Sequence, residues 1–256
     1  MKYGKTIRLD GVSFNNPNLP SLRNFQELIA NHAHCIGAWR MDGADALTLD
    51  GAGGVQSFAN WKTGGSPLAL GGGQAAVLID NALSGGKIAR FGAACEYRLN
   101  GYAWDLAKSY TMVAVYKPDS YASINNICGD INAGDMTKTS GIFSRSFSAV
   151  PALAFFEANN TTVVNIPNPN ALVAALVRHD APAKVNYVTG IGVGSTNAPA
   201  LAPAAAGTLT FKVSDQTLYP FVGVLDFVAL FDINTATDAA LQAALADYLA
   251  IRVKAI

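Results

Sequence analysis

The stretch VGVLDFVALFD, residues 222–232, decides how this chain folds. It is apolar apart from Asp226 and the closing Asp232, and its branched and aromatic residues suit an extended strand. Residues two apart in a strand share a face. Val222, Val224, Asp226, Val228 and Leu230 therefore point one way, and Leu225, Phe227, Ala229 and Phe231 the other. With Phe227 and Phe231 turned to the core, Asp226 is expected on the less buried face. Its partner there is a backbone amide or a cation from a neighbouring element. The period changes at once in the residues that follow, INTATDAALQAALADYLAIR (233–252). Thr237 reads as the N-cap of a helix, with Asp238 in its first turn and Arg252 and Lys254 in its last, all complementing the helix dipole. Leu241, Leu245, Tyr248 and Leu249 form its buried stripe.

Outward from this strand–helix pair, the same short apolar or alternating runs recur at 36–41, 55–60, 76–80, 87–91, 110–116, 141–147, 152–157, 161–166, 171–177, 184–189 and 208–213. Between them lie DGAGG, GGSP, GGG, SGG and NPN, where glycine supplies positive φ and proline a fixed φ. That rhythm belongs to an all-β protein, a two-sheet antiparallel β-sandwich. One more helical segment, SLRNFQELIANH (21–32), has Ser21 as cap and places Leu22, Phe25, Leu28 and Ile29 on one face. The alanine-proline stretch APALAPAAA (198–206) reads as a loop.

The totals narrow the function classes. Of 256 residues half are hydrophobic and 14% charged, which excludes a disordered chain. Lys plus Arg and Asp plus Glu balance at 18 each, so no global field draws the protein to phosphate backbones or anionic lipid. Nucleic acid is not an expected partner. No apolar run approaches the ~20 residues that span a bilayer, so membrane insertion is not expected either. MKYGKTIRLDG (1–11) has cations with no apolar segment behind them and is not expected to act as a secretory signal. Folding in a cytoplasm follows as the expectation. Cys35, Cys95 and Cys128 are odd in number and far apart, which points to reduced, buried thiols. The sequon at Asn159 then has no glycosylation to direct.

Five pieces, in order, carry a family resemblance: DGAGGVQSFANWKTGGSPLAL (50–70), GGKIARFGAACEYRLNG (85–101), SYTMVAVYKP (109–118), ALVAALVRHDAPAKVNYVTG (171–190) and FVGVLDFVALFDINTATDAALQAALADYLAIR (221–252). In these the chain resembles the laminin-G-like, concanavalin A-like lectin/glucanase domains of bacteriophage virion and prophage proteins. The resemblance implies a jelly-roll sandwich over residues 35–256, with residues 1–34 as an N-terminal arm and short helix. It implies a non-enzymatic virion component of tail, baseplate or fibre, a homo-oligomer among other virion proteins, possessing a lectin-like surface for a host cell glycan. A capsid-decorating protein, a carbohydrate-binding adhesin and a polysaccharide depolymerase are the alternatives.

The candidate chemistry is sparse. Retaining glycosidases need an acid and a nucleophile ~5–5.5 Å apart. The chain has three glutamates, Glu27, Glu96 and Glu157, and none partners Asp226 in the Glu-x-Asp-x-x-Glu spacing of such enzymes. No catalytic residue is expected. HAHC (32–35) brings His32, His34 and Cys35 together but leaves a zinc ion short of ligands. DINAGD (130–135) offers Asp130, Asn132 and Asp135 to calcium without the closing glutamate, so calcium is weighed against a polar loop and no cofactor is expected. GKT (4–6) lacks a glycine loop and GIGVG (190–194) opens no helix, so neither cradles phosphate. No histidine neighbours a nucleophile. Sugar recognition needs an aromatic face and hydroxyl partners. Tyr102, Trp104 and Asp105 in NGYAWDL, and Trp61 beside Asn60 in FANWK, supply both. Core packing is the competing reading for each of these rings.

Overall fold

A computed structural model describes residues 24–42, 47–81, 86–131, 138–158, 160–200 and 208–253. Among the described residues seventeen strands, numbered along the chain, form two antiparallel sheets. The first runs β15 (Gly194–Pro199), β14 (Val185–Gly190), β13 (Val173–Asp180), β8 (Tyr110–Pro118), β17 (Gly223–Phe231), β6 (Lys87–Phe91) and β5 (Val77–Asp80), with β1 (Cys35–Arg40) also paired to β17. The second runs β12 (Asn160–Asn165), β11 (Val150–Glu157), β10 (Ser140–Phe147), β9 (Asn125–Asp130), β16 (Thr208–Val213), β7 (Cys95–Asp105), β4 (Leu68–Gly73), β3 (Val55–Phe58) and β2 (Leu47–Leu49). The sandwich expected from the turn rhythm is the fold.

The main core lies between the sheets. Met112, Tyr116, Val177 and Leu225 of the first meet Tyr97, Ile142, Phe155 and Phe211 of the second. A second apolar layer covers the outer face of the first sheet. There Val113, Leu176, Phe227 and Phe231 pack beneath helix α1 (Ala239–Arg252) through Leu241, Leu245, Tyr248 and Leu249. Burying each of those leucines contributes roughly 1.5–3 kcal/mol. The stripe is the one its period predicts.

Asp226 is not on a wet face, and the correction has two causes. β17 changes partner at this residue, with 223–225 bonded to β6 and 227–231 to β1. Its ladder to β8 bulges between Leu225 and Phe227. A bulge resets alternation, so Leu225, Val228 and Leu230 all enter the inter-sheet core while Phe227 and Phe231 turn to the helix. Both faces are covered, and Asp226 is 1% exposed. The cation that meets it is Arg252, whose Nε donates to Oδ2 at 2.7 Å and whose Nη2 donates to Oδ1. The same Nη2 reaches Asp42 Oδ2 at 2.6 Å, and Arg40 holds the other side of Asp42. Burial pushes the Asp226 carboxyl up, and Arg252 opposes it. Burial also works against the charge on Arg252, but Asp226 and Asp42 outweigh it and hold the guanidinium protonated.

Other boundaries differ from expectation for local reasons. The cap of α1 is Asp238, whose Oδ1 accepts from Ala240 and Leu241 N–H, while Thr237 closes a 3₁₀ turn over Thr235–Thr237. The described part of the first helix is a π turn over Gln26–Ala30, closed by Asn31 N–H to Gln26 O. Its wider turn leaves Leu28 38% exposed while Ile29 is buried against the α1 layer. Ser21 and Leu22 lie outside the described residues. GGG (71–73), expected as a turn, continues strand β4.

Candidate functional site

Three of the four aromatic and acidic residues singled out for sugar contact meet in one cleft. Strand β7 pairs with β16 at Arg98↔Lys212 and resumes at Ala103↔Thr210, so residues 99–102 stand opposite Phe211 alone. Gly101, at φ +77°, makes this excursion possible without strain. Tyr102 in this stretch is half-buried, packed against the main core at a cleft of about 270 Å³. Asp105, Lys108, Ser109 and Asp232 complete its rim, and Ile36, Trp104 and Tyr110 line it deeper.

Each polar group has a defined anchor. Asp105 Oδ1 accepts from Ala107 N–H at 3.0 Å, which turns the chain into β8, and its Oδ2 stands 3.9 Å from Lys108 Nζ. Asp232, just past β17, takes His34 Nδ1 at 2.9 Å and its own N–H donates to His34 O. Ser109 Oγ accepts from Ala181 N–H. Burial, and then the charges of Asp232 and Asp105, raise the Tyr102 phenol above its ordinary value, so the ring is neutral and a hydrogen-bond donor at physiological pH. The cleft thus offers a partly open ring, two carboxylates, an ammonium and a hydroxyl within one sugar's reach.

Trp104 is a wall of this cleft and not a platform. It is 2% exposed, edge-on to Tyr110 at 4.7 Å and to Phe211 at 6.1 Å, with its indole N–H bonded to no described group. No face of the indole remains open to a ligand. Trp61 does not belong to the site. It packs between the first sheet and α1, 5.4 Å from Tyr248 and edge-on to Phe227, with Arg40 over its ring. Helix α1 occupies the surface that a sugar would need. Asn60 beside it bonds Ala38 N–H and Ser66 O, a structural role.

Sequence reasoning missed the polar cluster behind the cleft. Tyr110 Oη donates to Glu157 Oε1 at 2.7 Å and lies 2.8 Å from Ser140 Oγ. Glu157 Oε1 also faces His179 Nδ1 at 2.9 Å, and Oε2 accepts from Asn186 Nδ2 at 2.5 Å. All five are buried. Burial, the largest influence on His179, disfavours the imidazolium, but the bond and charge of Glu157 outweigh it, and the ring titrates above its ordinary 6.5. The signal was an acid and a histidine each ending an apolar strand, ALAFFE and ALVAALVRHD, with nothing in the spacing to join them.

The remaining candidates disperse. His32 bonds Asp238 at 3.1 Å, His34 bonds Asp232, and the Cys35 thiol is pushed up to about 12 by burial. Asp130 accepts from Thr210 N–H and pairs with Lys212 at 3.0 Å, while Asn132 and Asp135 lie outside the described residues, as do GKT (4–6) and Asn159. GIGVG forms the turn between β14 and β15.

No protein-family model matches the chain, and no curated protein matches its sequence. Among solved structures it is similar to an arabinofuranosidase complexed with arabinofuranosyl-α-1,2-xylobiose, at TM-score 0.60 and 11% identity, over 83% of this chain and 62% of that one. It is similar as well to a mutant GH54 α-L-arabinofuranosidase soaked with 4-nitrophenyl α-L-arabinofuranoside, at 0.61 and 12%, with the same coverage. The Ruminococcus gnavus IT-sialidase CBM40 bound to α2,3-sialyllactose overlaps 58% of this chain and 95% of its own at 0.41 and 13% identity. The chain spans 62% of the length of the two arabinofuranosidases, and what it shares with them is the two-sheet sandwich.

Proposed function

We propose that this protein is a non-catalytic, carbohydrate-binding β-sandwich. The observation that carries the reading is the convergence of Tyr102, Asp105, Lys108, Ser109 and Asp232 on one cleft. A half-buried ring supplies the apolar contact, and the carboxylates and ammonium supply directional bonds to hydroxyls. Catalysis is disfavoured because the buried acids Asp226 and Glu157 are not open to a substrate. Asp226 is closed off by Arg252, and Glu157 lies inside the core. General acid catalysis needs a carboxyl that can lend a proton to a bound glycosidic oxygen.

The setting is a phage particle, where the sandwich serves host-surface attachment as a symmetric oligomer held by neighbouring virion proteins. This part of the reading draws on the five resembling pieces and on the neutral overall charge. The cleft and the particle are tested separately. Glycan arrays of bacterial surface polysaccharide should show saturable binding, and purified particles should contain the chain by mass spectrometry. Array silence removes the sugar role, and absence from particles removes the virion role.

A further inference from the structure

The outer face of the second sheet carries an unassigned groove, on a different surface from the Tyr102 cleft. Strands β10, β11 and β12 form a meander, with Phe147↔Val150 and Glu157↔Asn160 as the last pairs of its two ladders. Alternation sends Phe143, Arg145 and Phe147 outward from β10, and Ala154 and Phe156 from β11. Phe143 and Ala154 form a small cluster with Ile124, Ile131, Phe156 and Tyr219, separate from both main layers. Between them is a groove of about 240 Å³.

Two local features set the positions of the groove's rings. Ser148 and Ala149, in the turn that holds Phe147, sit at φ +49° and +67°, a conformation side-chain-bearing residues adopt at a cost. Gly141 is the second. A Cβ there would come within 2.9 Å of the Phe143 ring, so the glycine lets that ring lie along the strand.

The lining decides the ligand. Among the described residues no acid lines the groove and one cation does, Arg145, held 4.6 Å over the Phe147 ring. Among the described residues Arg145 forms no ion pair, and its guanidinium bonds only Ser146 O, at 3.4 Å. The other polar side chains are Thr161 and Tyr219. A sugar would bring more hydroxyls than these can satisfy, and unmet polar groups are costly on an apolar wall. An engineered apolar cavity of about 150 Å³ holds benzene, so this groove has space for a ring with a short chain. We infer that it binds an aromatic or branched-aliphatic monocarboxylate, with the apolar group among Phe143, Phe156 and Tyr219 and the carboxylate on Arg145.

The test uses the whole chain with 3-phenylpropionate, 3-phenylpropionamide and methyl α-glucoside, followed by the NMR methyl shifts of Ile124 and Ile131. The acid should give saturable shifts, the amide should bind roughly tenfold more weakly, and the glucoside should give none. Arg145→Gln, a half-exposed change, should bring acid and amide to equal affinity. Phe156→Ala should weaken both. Equal affinity of acid and amide for the unmodified protein, an unchanged preference in Arg145→Gln, or no saturable shift with the acid overturns the assignment.

Discussion

Arg252, in the last turn of α1, closes on the carboxylate of Asp226 from 26 residues further along the chain, with Nε to Oδ2 at 2.7 Å. This contact joins the helix to the point where β17 changes its hydrogen-bonding partner. Removing one member leaves a buried charge without its counterion, which costs about 3–5 kcal/mol. Arg252→Met should therefore lower stability by about that amount in urea denaturation. Replacing both, as Arg252→Met with Asp226→Leu, should recover part of the loss, and Asp42, still paired with Arg40, limits the remainder.

The His179–Glu157 pair makes stability depend on alkaline pH. The folded histidine titrates above its ordinary 6.5, so it binds its proton more tightly than the unfolded chain does. Its contribution is complete below 6.5 and is lost as pH rises through the folded value. Thermal melts from about pH 6 to about pH 9 should fall over this window. Glu157→Gln removes the charge and leaves one acceptor oxygen where Tyr110 and Asn186 use two, so it should lower stability at every pH and flatten that slope. An equal slope in the variant would assign the pH dependence to other groups.

Two glycines with positive φ should respond differently to alanine. At Gly129, φ +127°, an added Cβ would lie 2.2 Å from Ser140 O and 2.4 Å from Gly141 Cα, so backbone must move. Gly129→Ala should cost roughly 2–4 kcal/mol. At Gly101, φ +77°, nothing lies within 4 Å of the added Cβ, and Gly101→Ala should cost only about 1–2 kcal/mol of conformational strain. Chemical denaturation of the two variants side by side measures the difference.

The two indoles divide in the same way. Trp39 Nε1 donates to Ser66 O at 3.2 Å, whereas Trp104 Nε1 has no described acceptor. Trp39→Phe should lose volume and the indole's own hydrogen bond, while Asn60 Nδ2 still donates to Ser66 O. Trp104→Phe should lose volume alone, and be milder by about 1 kcal/mol. The comparison is a pair of urea titrations.

Much of this architecture was legible in the residues. The turn-punctuated runs located most strands of the sandwich, and the period of Leu241, Leu245, Tyr248 and Leu249 located the buried stripe of α1. The strand β15, GSTNAP, was not legible because an exposed edge needs no apolar alternation. Asp226 was misplaced because alternation presumes an unbroken ladder, and neither the bulge nor a helix on the second face shows in local pattern. Tyr102, Trp104 and Asp105 could be grouped by adjacency, whereas Asp232 joins them only through the pairing of β1 with β17. Trp61 next to Asn60 carried the same composition as a sugar platform and packs under a helix that starts 178 residues later.

Calorimetric titration with the glycan that binds best on the array tests the sugar cleft most directly, run in parallel on the unmodified protein and on Tyr102→Ala. Tyr102 is half-buried and packs against the main core, so its loss should lower the melting temperature modestly while both proteins stay folded at the titration temperature. Affinity should fall roughly tenfold or more, and the glycan should be recovered without new reducing ends. Equal affinity of the two proteins, or reducing-end release that Asp105→Asn abolishes, contradicts the account.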